Sequence, residues 1–311
     1  MSVANDTKFT HTVFLLSGIS GYEDIHQWIF IPFCITYVIS LVGNSVILFI
    51  IKSDPTLHEP MYIFLSILAV SDLGISIGTL STTLGVFLFN SREIGPEACF
   101  AQLFFIHSFS YIESSVLLVM AFDRVIAISN PLRYASILTL PRIAKIGLGC
   151  VIRGVAVVLP APFLLKRYRY CRANVLSHSY CLHLDVLKIA CSDITVNNIY
   201  GLFATVITVG LDSVLILLSY VMILKTVLSI ASRAECLRAL STCVSHLCAV
   251  LIFYTPGISL SLINRFASSS SSLIHILMGY IYLLLPPTMN PIVYSLKNKQ
   301  LRAKIVRVFV K

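Results

Sequence analysis

Apolar positions in this chain gather into long runs separated by short polar stretches. A bilayer core needs roughly 20 consecutive apolar residues from a helix. Backbone in hydrocarbon must pair its own N–H and C=O groups, which leaves helices or closed barrels. Barrel strands would read as alternating segments of ~10 residues, and these runs are longer and apolar on every side. Seven of them fit helices, at about Trp28–Ile51, Met61–Phe89, Cys99–Ile128, Ile143–Leu165, Asn197–Ser229, Leu240–Leu262 and Ser272–Ser295. The pattern predicts an all-α membrane protein, a seven-transmembrane-helix bundle over 28–295, with an extracellular N-terminal segment at 1–27 and a cytoplasmic element at 296–311. No internal repeat or second domain is visible. Residues 1–27 have no basic start followed by an apolar stretch, so the first span is expected to be its own insertion signal.

The tail carries a different pattern. Leu301, Ile305, Val308 and Phe309 fall at i, i+4, i+7 and i+8, with Lys299, Arg302 and Lys311 among the polar positions. That predicts a basic amphipathic helix lying on an anionic inner leaflet. The alternative, a disordered basic tail, does not call for so regular a stripe.

Composition agrees with a membrane solvent. Of 311 residues, 57% are hydrophobic and 12% charged, about half the charged share of a soluble domain. Charge also orients the bundle, because Lys and Arg concentrate in cytoplasmic loops. The loops after spans one, three and five, with the tail, hold fourteen of them, against eight on the other side. The N-terminus is therefore expected outside. Asn5-Asp6-Thr7 is a glycosylation sequon, meaningful only on that side. Of nine cysteines, Cys99, Cys171, Cys181 and Cys191 lie on the predicted outer side. An even set in an oxidising compartment reads as two disulfides, and four cysteines permit three pairings among which sequence does not choose.

Ionisable residues inside spans cost at least about 2.5 kcal/mol each at the bilayer centre, so each is a functional candidate. Asp72 lies in span two, Glu113 in span three, Arg153 in span four and Asp212 in span five, while Asp123-Arg124 closes the inner end of span three. Asp72 and Glu113 both sit near mid-span, and two carboxylates in a bundle interior need a proton or a cation between them. A hard cation such as sodium suits that oxygen chemistry. Asp212 reads as an interior hydrogen-bonding residue. Arg153 sits 11 residues beyond Arg142, roughly 16 Å along a helix, too deep for easy snorkelling, and no role is assigned to it. Span three presents His107, Tyr111 and Ser114 on one face of its outer half, and span six presents Tyr254, Ile258, Ser261 and Arg265 at i, i+4, i+7 and i+11. If both faces look inward, His107, Ser261 and Arg265 converge on an outer cavity with apolar walls, and Arg265 is a fixed cation in want of an anion. The competing reading has Arg265 snorkelling to outer headgroups. Pro256 in span six and Pro286, Pro287 and Pro291 in span seven mark positions where a helix kinks.

Several motifs then point one way. Gly43-Asn44, Leu68-Ala69-Val70-Ser71-Asp72, Asp123-Arg124 and Asn290-Pro291-Ile292-Val293-Tyr294 resemble the rhodopsin-like G-protein-coupled receptors. Pro60-Met61-Tyr62, Met120-Ala121-Phe122-Asp123-Arg124, Ser219-Tyr220 and Ser241-Thr242-Cys243-Val244-Ser245-His246-Leu247 resemble olfactory receptor signatures, in order from span one to the tail. Phe105-Ile106-His107-Ser108-Phe109, Ile112-Glu113-Ser114-Ser115 and Asn264-Arg265-Phe266 resemble the class I, or fish-like, subgroup. The resemblance implies pairing of Cys99 with Cys181 and of Cys171 with Cys191. It implies a sodium-type site at Asp72 and Glu113, and a cytoplasmic switch built from Asp123, Arg124, Tyr220, His246 and Tyr294. It implies a plasma-membrane receptor that binds an odorant, a carboxylic acid by the habit of the subgroup, and activates the olfactory stimulatory G protein to raise cAMP. Ligand contacts would come from His107, Tyr111, Tyr254, Ile258, Ser261 and Arg265. Two positions depart from the family pattern: Val125 stands where Tyr usually follows Asp-Arg, and Asn264 where His usually precedes Arg265.

Other classes fit less well. A transporter should show internal repeats and short broken helices, and a channel should show rings of pore-lining charge. No nucleophile–base pair or HExxH-type cluster suggests an enzyme, no organic cofactor is implied, and membrane lipid rather than nucleic acid is the expected macroscopic partner. A receptor of the same fold for a non-odorant metabolite outside the nose is the nearest rival.

Overall fold

The computed structural model describes residues 13–19, 26–170, 174–229, 232–266 and 272–309. Its helices, in chain order, are α1 (His26–Ser53), α2 (Pro60–Leu88), α3 (Pro96–Ser129), α4 (Tyr134–Ile137), α5 (Leu140–Val158), α6 (Pro160–Leu165), α7 (His183–Lys188), α8 (Thr195–Thr205), α9 (Leu211–Leu228), α10 (Arg233–Phe266), α11 (Ser272–Lys297) and α12 (Lys299–Phe309). Among the described residues, six spans are long and apolar enough to cross a membrane: α1, α2, α5 with α6, α8 through α9, α10 and α11. The seventh is α3, which runs through the middle and packs against α2, α5, α9 and α10. The result is the seven-helix bundle. Trp28, Phe49, Leu217 and Leu262 are each more than half exposed, an apolar outer surface suited to a lipid environment.

Proline places several helix ends. Pro60, Pro96 and Pro160 open α2, α3 and α6, where a missing N–H costs nothing. Inside α11, Pro291 has no N–H to give the carbonyl of Pro287. Asn44 of α1 replaces it: its Nδ2 donates to the Pro287 carbonyl at 3.0 Å and to Ser40 O at 2.9 Å. The two helices come that close because Gly43 faces Pro291, where a Cβ would meet the ring at 2.8 Å.

Span five is interrupted by a π-helical turn, Val206–Gly210, between α8 and α9. A π-turn widens the helix by one residue and loosens its carbonyls from the i+4 ladder. One of those carbonyls is taken up from a neighbouring helix, Ile207 O by Arg153 Nη2 at 2.6 Å, and Ser114 Oγ lies 3.2 Å from a second, Thr208 O.

The outer end is stitched by a sheet that sequence patterning did not suggest. Strand β1 (Phe14–Leu16) lies between β2 (Glu93–Ile94) and β3 (Val175–Leu176), antiparallel to the first and parallel to the second. Phe14 and Leu16 are buried there, and Ser17 Oγ donates to Leu176 O at 2.8 Å. Cys99 and Cys181 are joined by a disulfide. Cys191 is also disulfide-bonded, while Cys171 and Asn5 lie outside the described residues.

At the inner end, Asn298 caps α12 by accepting from Leu301 N at 3.0 Å. Leu301 is fully buried and Ile305 packs against the main core. The first turns of the tail helix thus spend their apolar stripe on the receptor rather than on lipid; the side chains of Val308 and Phe309 lie outside the described residues. Lys304 pairs with Asp54 of the first inner loop, and Tyr62 Oη donates to Gln300 Oε1 at 2.6 Å.

Candidate functional site

A cavity opens in the outer half of the bundle; the free space within it, with its open mouth counted, is about 880 Å³. Span three contributes His107 and Tyr111, span four Val157, Val158 and Ala161, and span five Tyr200, Gly201, Ala204, Thr205 and Val209. Span six supplies Gly257, Leu260 and Ser261, span seven Tyr282, and the second outer loop roofs the space with Leu182, His183 and Leu184. The walls are mainly apolar, and no Lys, Arg, Asp or Glu lines them among the described residues. The rings of His107 and His183 stand 6.4 Å apart, and His183 Nε2 lies 3.0 Å from Asn197 Oδ1.

Of the residues expected to meet a ligand, His107, Tyr111 and Ser261 line this cavity. Tyr254 and Ile258 do not. The inward face of α10 is Gly257, Leu260 and Ser261, at i, i+3 and i+4, so Ile258 is rotated ~100° away and is 39% exposed on the outer surface. Tyr254 is buried one turn below the cavity, where its hydroxyl lies 2.7 Å from Ser114 Oγ. The side chain of Arg265 lies outside the described residues; its backbone stands four residues beyond Ser261 in α10. His183, Tyr200, Thr205 and Tyr282 were not expected at the site. A loop residue such as His183 follows no periodic pattern, and the π-turn shifts the phase of span five so that its inward residues cannot be counted on a 3.6 repeat.

Beneath the floor lies the ion pair that gives Arg153 its partner. Its Nη1 donates to Asp212 Oδ2 at 2.8 Å and its Nη2 to Asp212 Oδ1 at 2.9 Å, a two-pronged contact. Nη1 also reaches Ser115 Oγ at 2.7 Å, and Ser114 Oγ donates to Asp212 Oδ2 at 2.9 Å. Ser114 thereby joins Asp212 in span five to Tyr254 in span six.

Asp72 and Glu113 are both buried and are bridged by one amide. Asn290 Nδ2 lies 3.1 Å from Asp72 Oδ2 and 3.0 Å from Glu113 Oε1. Glu113 Oε2 and Asn290 Oδ1 are buried without a hydrogen-bond partner among the described residues. Unpartnered buried oxygens beside two carboxylates fit a hard cation, and all the donors on offer are oxygen.

The inner residues form separate contacts. Arg124 pairs with its neighbour Asp123, and Asp123 Oδ1 also accepts from Tyr134 Oη at 2.6 Å. Tyr134, in the second inner loop, was not anticipated; burial first, then Asp123, raises the pKa of its hydroxyl and keeps it a donor. His246 Nε2 lies 3.0 Å from Leu117 O and Nδ1 2.7 Å from Tyr220 Oη. The carbonyl can only accept, so Nε2 carries the proton and Nδ1 accepts from the tyrosine. The Tyr294 hydroxyl is buried with no hydrogen-bond partner among the described residues.

Comparison with known proteins converges on the same identity. The family model described as "Olfactory receptor" matches residues 33–311. The chain is similar to olfactory receptor 51G2 of Homo sapiens, 58% identical over 99% of this chain and 98% of that one. It is 54% identical to olfactory receptor 51G1 over 99% of this chain and 96% of the relative, and 56% identical to olfactory receptor 51A4 over 98% and 97%, both from Homo sapiens. With the seven-helix bundle and the outer cavity, these matches show that the chain belongs to the olfactory receptor family, in its class I subgroup, and is a non-enzymatic, multi-pass receptor of the plasma membrane.

Proposed function

We propose that this odorant receptor detects a small volatile carboxylic acid in the outer cavity and answers through a stimulatory heterotrimeric G protein that raises cAMP. The observation that carries the reading is the cavity itself, apolar walls with His107, His183 and Ser261 among the few polar groups. Val158, Ala161 and Leu260 pack an acyl chain, at about 0.8 kcal/mol per buried CH₂. Ser261 and the histidines offer hydrogen bonds to the acid end, and Arg265, one turn outward of Ser261 on the same helix, supplies the counter-charge. A dose–response series of straight-chain acids against their methyl esters, at equal surface expression, tests this. Arg265→Ala should weaken the acids roughly 30-fold or more, since losing one partner of a desolvated charge pair costs ~2–5 kcal/mol. Arg265→Lys should restore only part. Acid potency unchanged by Arg265→Ala would return that arginine to the headgroups.

A second reading follows from the described lining, which carries no formal charge. It is a neutral oxygenated ligand held by Ser261 and a histidine, and esters more potent than acids on the wild type would favour it.

On the inner side, release of Arg124 from Asp123, whose other oxygen accepts from Tyr134, would free a cation for the G protein. Arg124→Ala should abolish odorant-evoked cAMP while the receptor stays at the surface, and undiminished signalling would remove this coupling role. A sodium ion shared by Asp72 and Glu113, with Asn290 Oδ1, is proposed for the mid-bundle site, where it would neutralise the two carboxylates.

A further inference from the structure

We infer that His178 and Asp185, neither of which lines the cavity, form a buried latch that holds the cavity roof in place and so sets odorant affinity. This rests on the reading of the outer cavity as the odorant site. His178 Nδ1 lies 2.6 Å from Asp185 Oδ2, and each side chain is only 3% exposed. Burial pushes the Asp185 carboxyl up, but the His178 hydrogen bond and the charges of His178 and Lys188 outweigh it and hold the group below its ordinary value. Asp185 is thus an acceptor at neutral pH, and His178 Nδ1 is the donor.

The pair closes a loop of the chain around the roof. Between residues 178 and 185 lie Cys181, tied to span three by its disulfide, and then Leu182, His183 and Leu184, which face the cavity. Each side of the latch is seated on the bundle. Ser179 N donates to Tyr280 Oη at 3.0 Å, and Cys181 N to Gln102 Oε1 at 2.8 Å. The His178 ring packs beside Tyr180 and Tyr280, with centroids 5.2 and 5.7 Å away. On the other side Asp185 belongs to the first turn of α7, the short helix that His183 begins. The disulfide fixes one end of the roof. The far end is held by Val186 and Leu187, buried in the outer core, and by Asp185, whose described side-chain partners are His178 and Lys188, and Lys188 is 59% exposed. Without His178, the carboxylate would stay buried with a single solvent-facing partner, a cost that α7 relieves by moving outward. His183 would move with it, away from Asn197 and from His107. His178 and Asp185 are therefore positioning residues, acting through His183 and its two leucine neighbours.

The test uses full-length receptor with His178→Ala, Asp185→Ala, His178→Asn and His178→Gln. An asparagine places its Nδ2 where His178 carries Nδ1, whereas a glutamine places its amide nearer the position of Nε2. Two measurements are made at matched surface expression. The first is potency of straight-chain carboxylic acids and their methyl esters in a cAMP reporter. His178→Ala and Asp185→Ala should each raise the EC50 about tenfold or more with the maximal response intact, and the double variant should be no worse than either alone. His178→Asn should retain most of the wild-type potency and His178→Gln should not. The second is hydrogen exchange on purified receptor. Residues 182–188 should exchange faster in both alanine variants and stay protected in His178→Asn, with β1 unchanged. Wild-type exchange in the alanine variants, or potency unchanged beside faster exchange, overturns the latch. If no acid or ester activates the wild type, the ligand proposal fails, and the exchange measurement alone decides the latch.

Discussion

Arg153 and Asp212 meet beneath the cavity, Asp72 and Glu113 meet at mid-bundle, and the two clusters differ in how their charges are balanced. In the first, a guanidinium fork meets a carboxylate, and two serine hydroxyls and a loosened π-turn carbonyl take the remaining valences. In the second, two carboxylates share one neutral amide, and a carboxylate oxygen and the amide oxygen have no partner among the described residues. The first balances its charge with its own residues and ties three spans together. The second is an anionic cage that only a proton or a visiting cation completes. Burial alone does not separate these roles, since Asp72, Glu113 and Asp212 are all at most 1% exposed; the count of satisfied atoms does.

The sharpest way to break the comparison is to unbalance the first cluster. Arg153→Ala leaves Asp212 charged and buried, at a cost of roughly 3–5 kcal/mol, so surface receptor should fall to near background by flow cytometry. Arg153→Leu combined with Asp212→Leu should recover more surface receptor than either single change, because no lone charge is left. A single variant that traffics normally would mean the pair is not holding spans four and five.

A smaller effect is expected at the second cluster, where removing charge relieves repulsion. Asp72→Asn should fold and reach the surface. Its purified form should lose the thermal stabilisation that sodium chloride gives the wild type relative to choline chloride. With sodium at tenfold its Kd that stabilisation is about 1.4 kcal/mol. Equal stability of the wild type in both salts would leave the cage to a proton.

The smallest effect concerns a pair that solvent reaches. Lys304 first, then Thr56, lower the Asp54 carboxyl from 3.8 to about 2. A depressed pKa contributes stability above the ordinary value that is lost as pH falls through the folded one. Docking of α12 should therefore be unaffected from neutrality down to about pH 4 and weaken below it. Lys304→Ala should remove that acid dependence and otherwise change melting little, as expected of an exposed pair.

Much of the architecture was legible because lipid imposes a simple rule. Each span begins and ends within a few residues of its apolar run, apart from α10, which continues inward to Arg233 where the chain is polar and helical at once. Local chemistry was partly legible. His107, Tyr111 and Ser261 follow helical spacing on regular helices and do reach the cavity. Ile258 misled because a face 100° too wide looks equally good on paper. Arg153 had no visible partner because Asp212 is 59 residues away, and the signal that would have found it is charge parity: an intramembrane cation calls for an intramembrane anion on a neighbouring span. Asn290 stood within a recognised motif, yet its bridging of two acids depends on the rotation of α11. The roof could not be read from periodicity, since its residues are held by a disulfide and by buried side-chain contacts.

The outer sheet has a consequence for the order in which the receptor is made. Ser17 and Leu176, bonded across the β1–β3 ladder, are separated by 159 residues of chain. At a synthesis rate of about 5–20 residues per second, β1 reaches the lumen on the order of 10–30 s before β3 exists. During that interval Phe14 and Leu16, buried in the finished molecule, lack β3, and only β2 and the start of α3, which follow part-way through it, are there to cover them. The sheet closes only after span four has passed into the membrane. Whatever slows delivery of the fourth span therefore prolongs the time for which the first strand lacks its parallel neighbour.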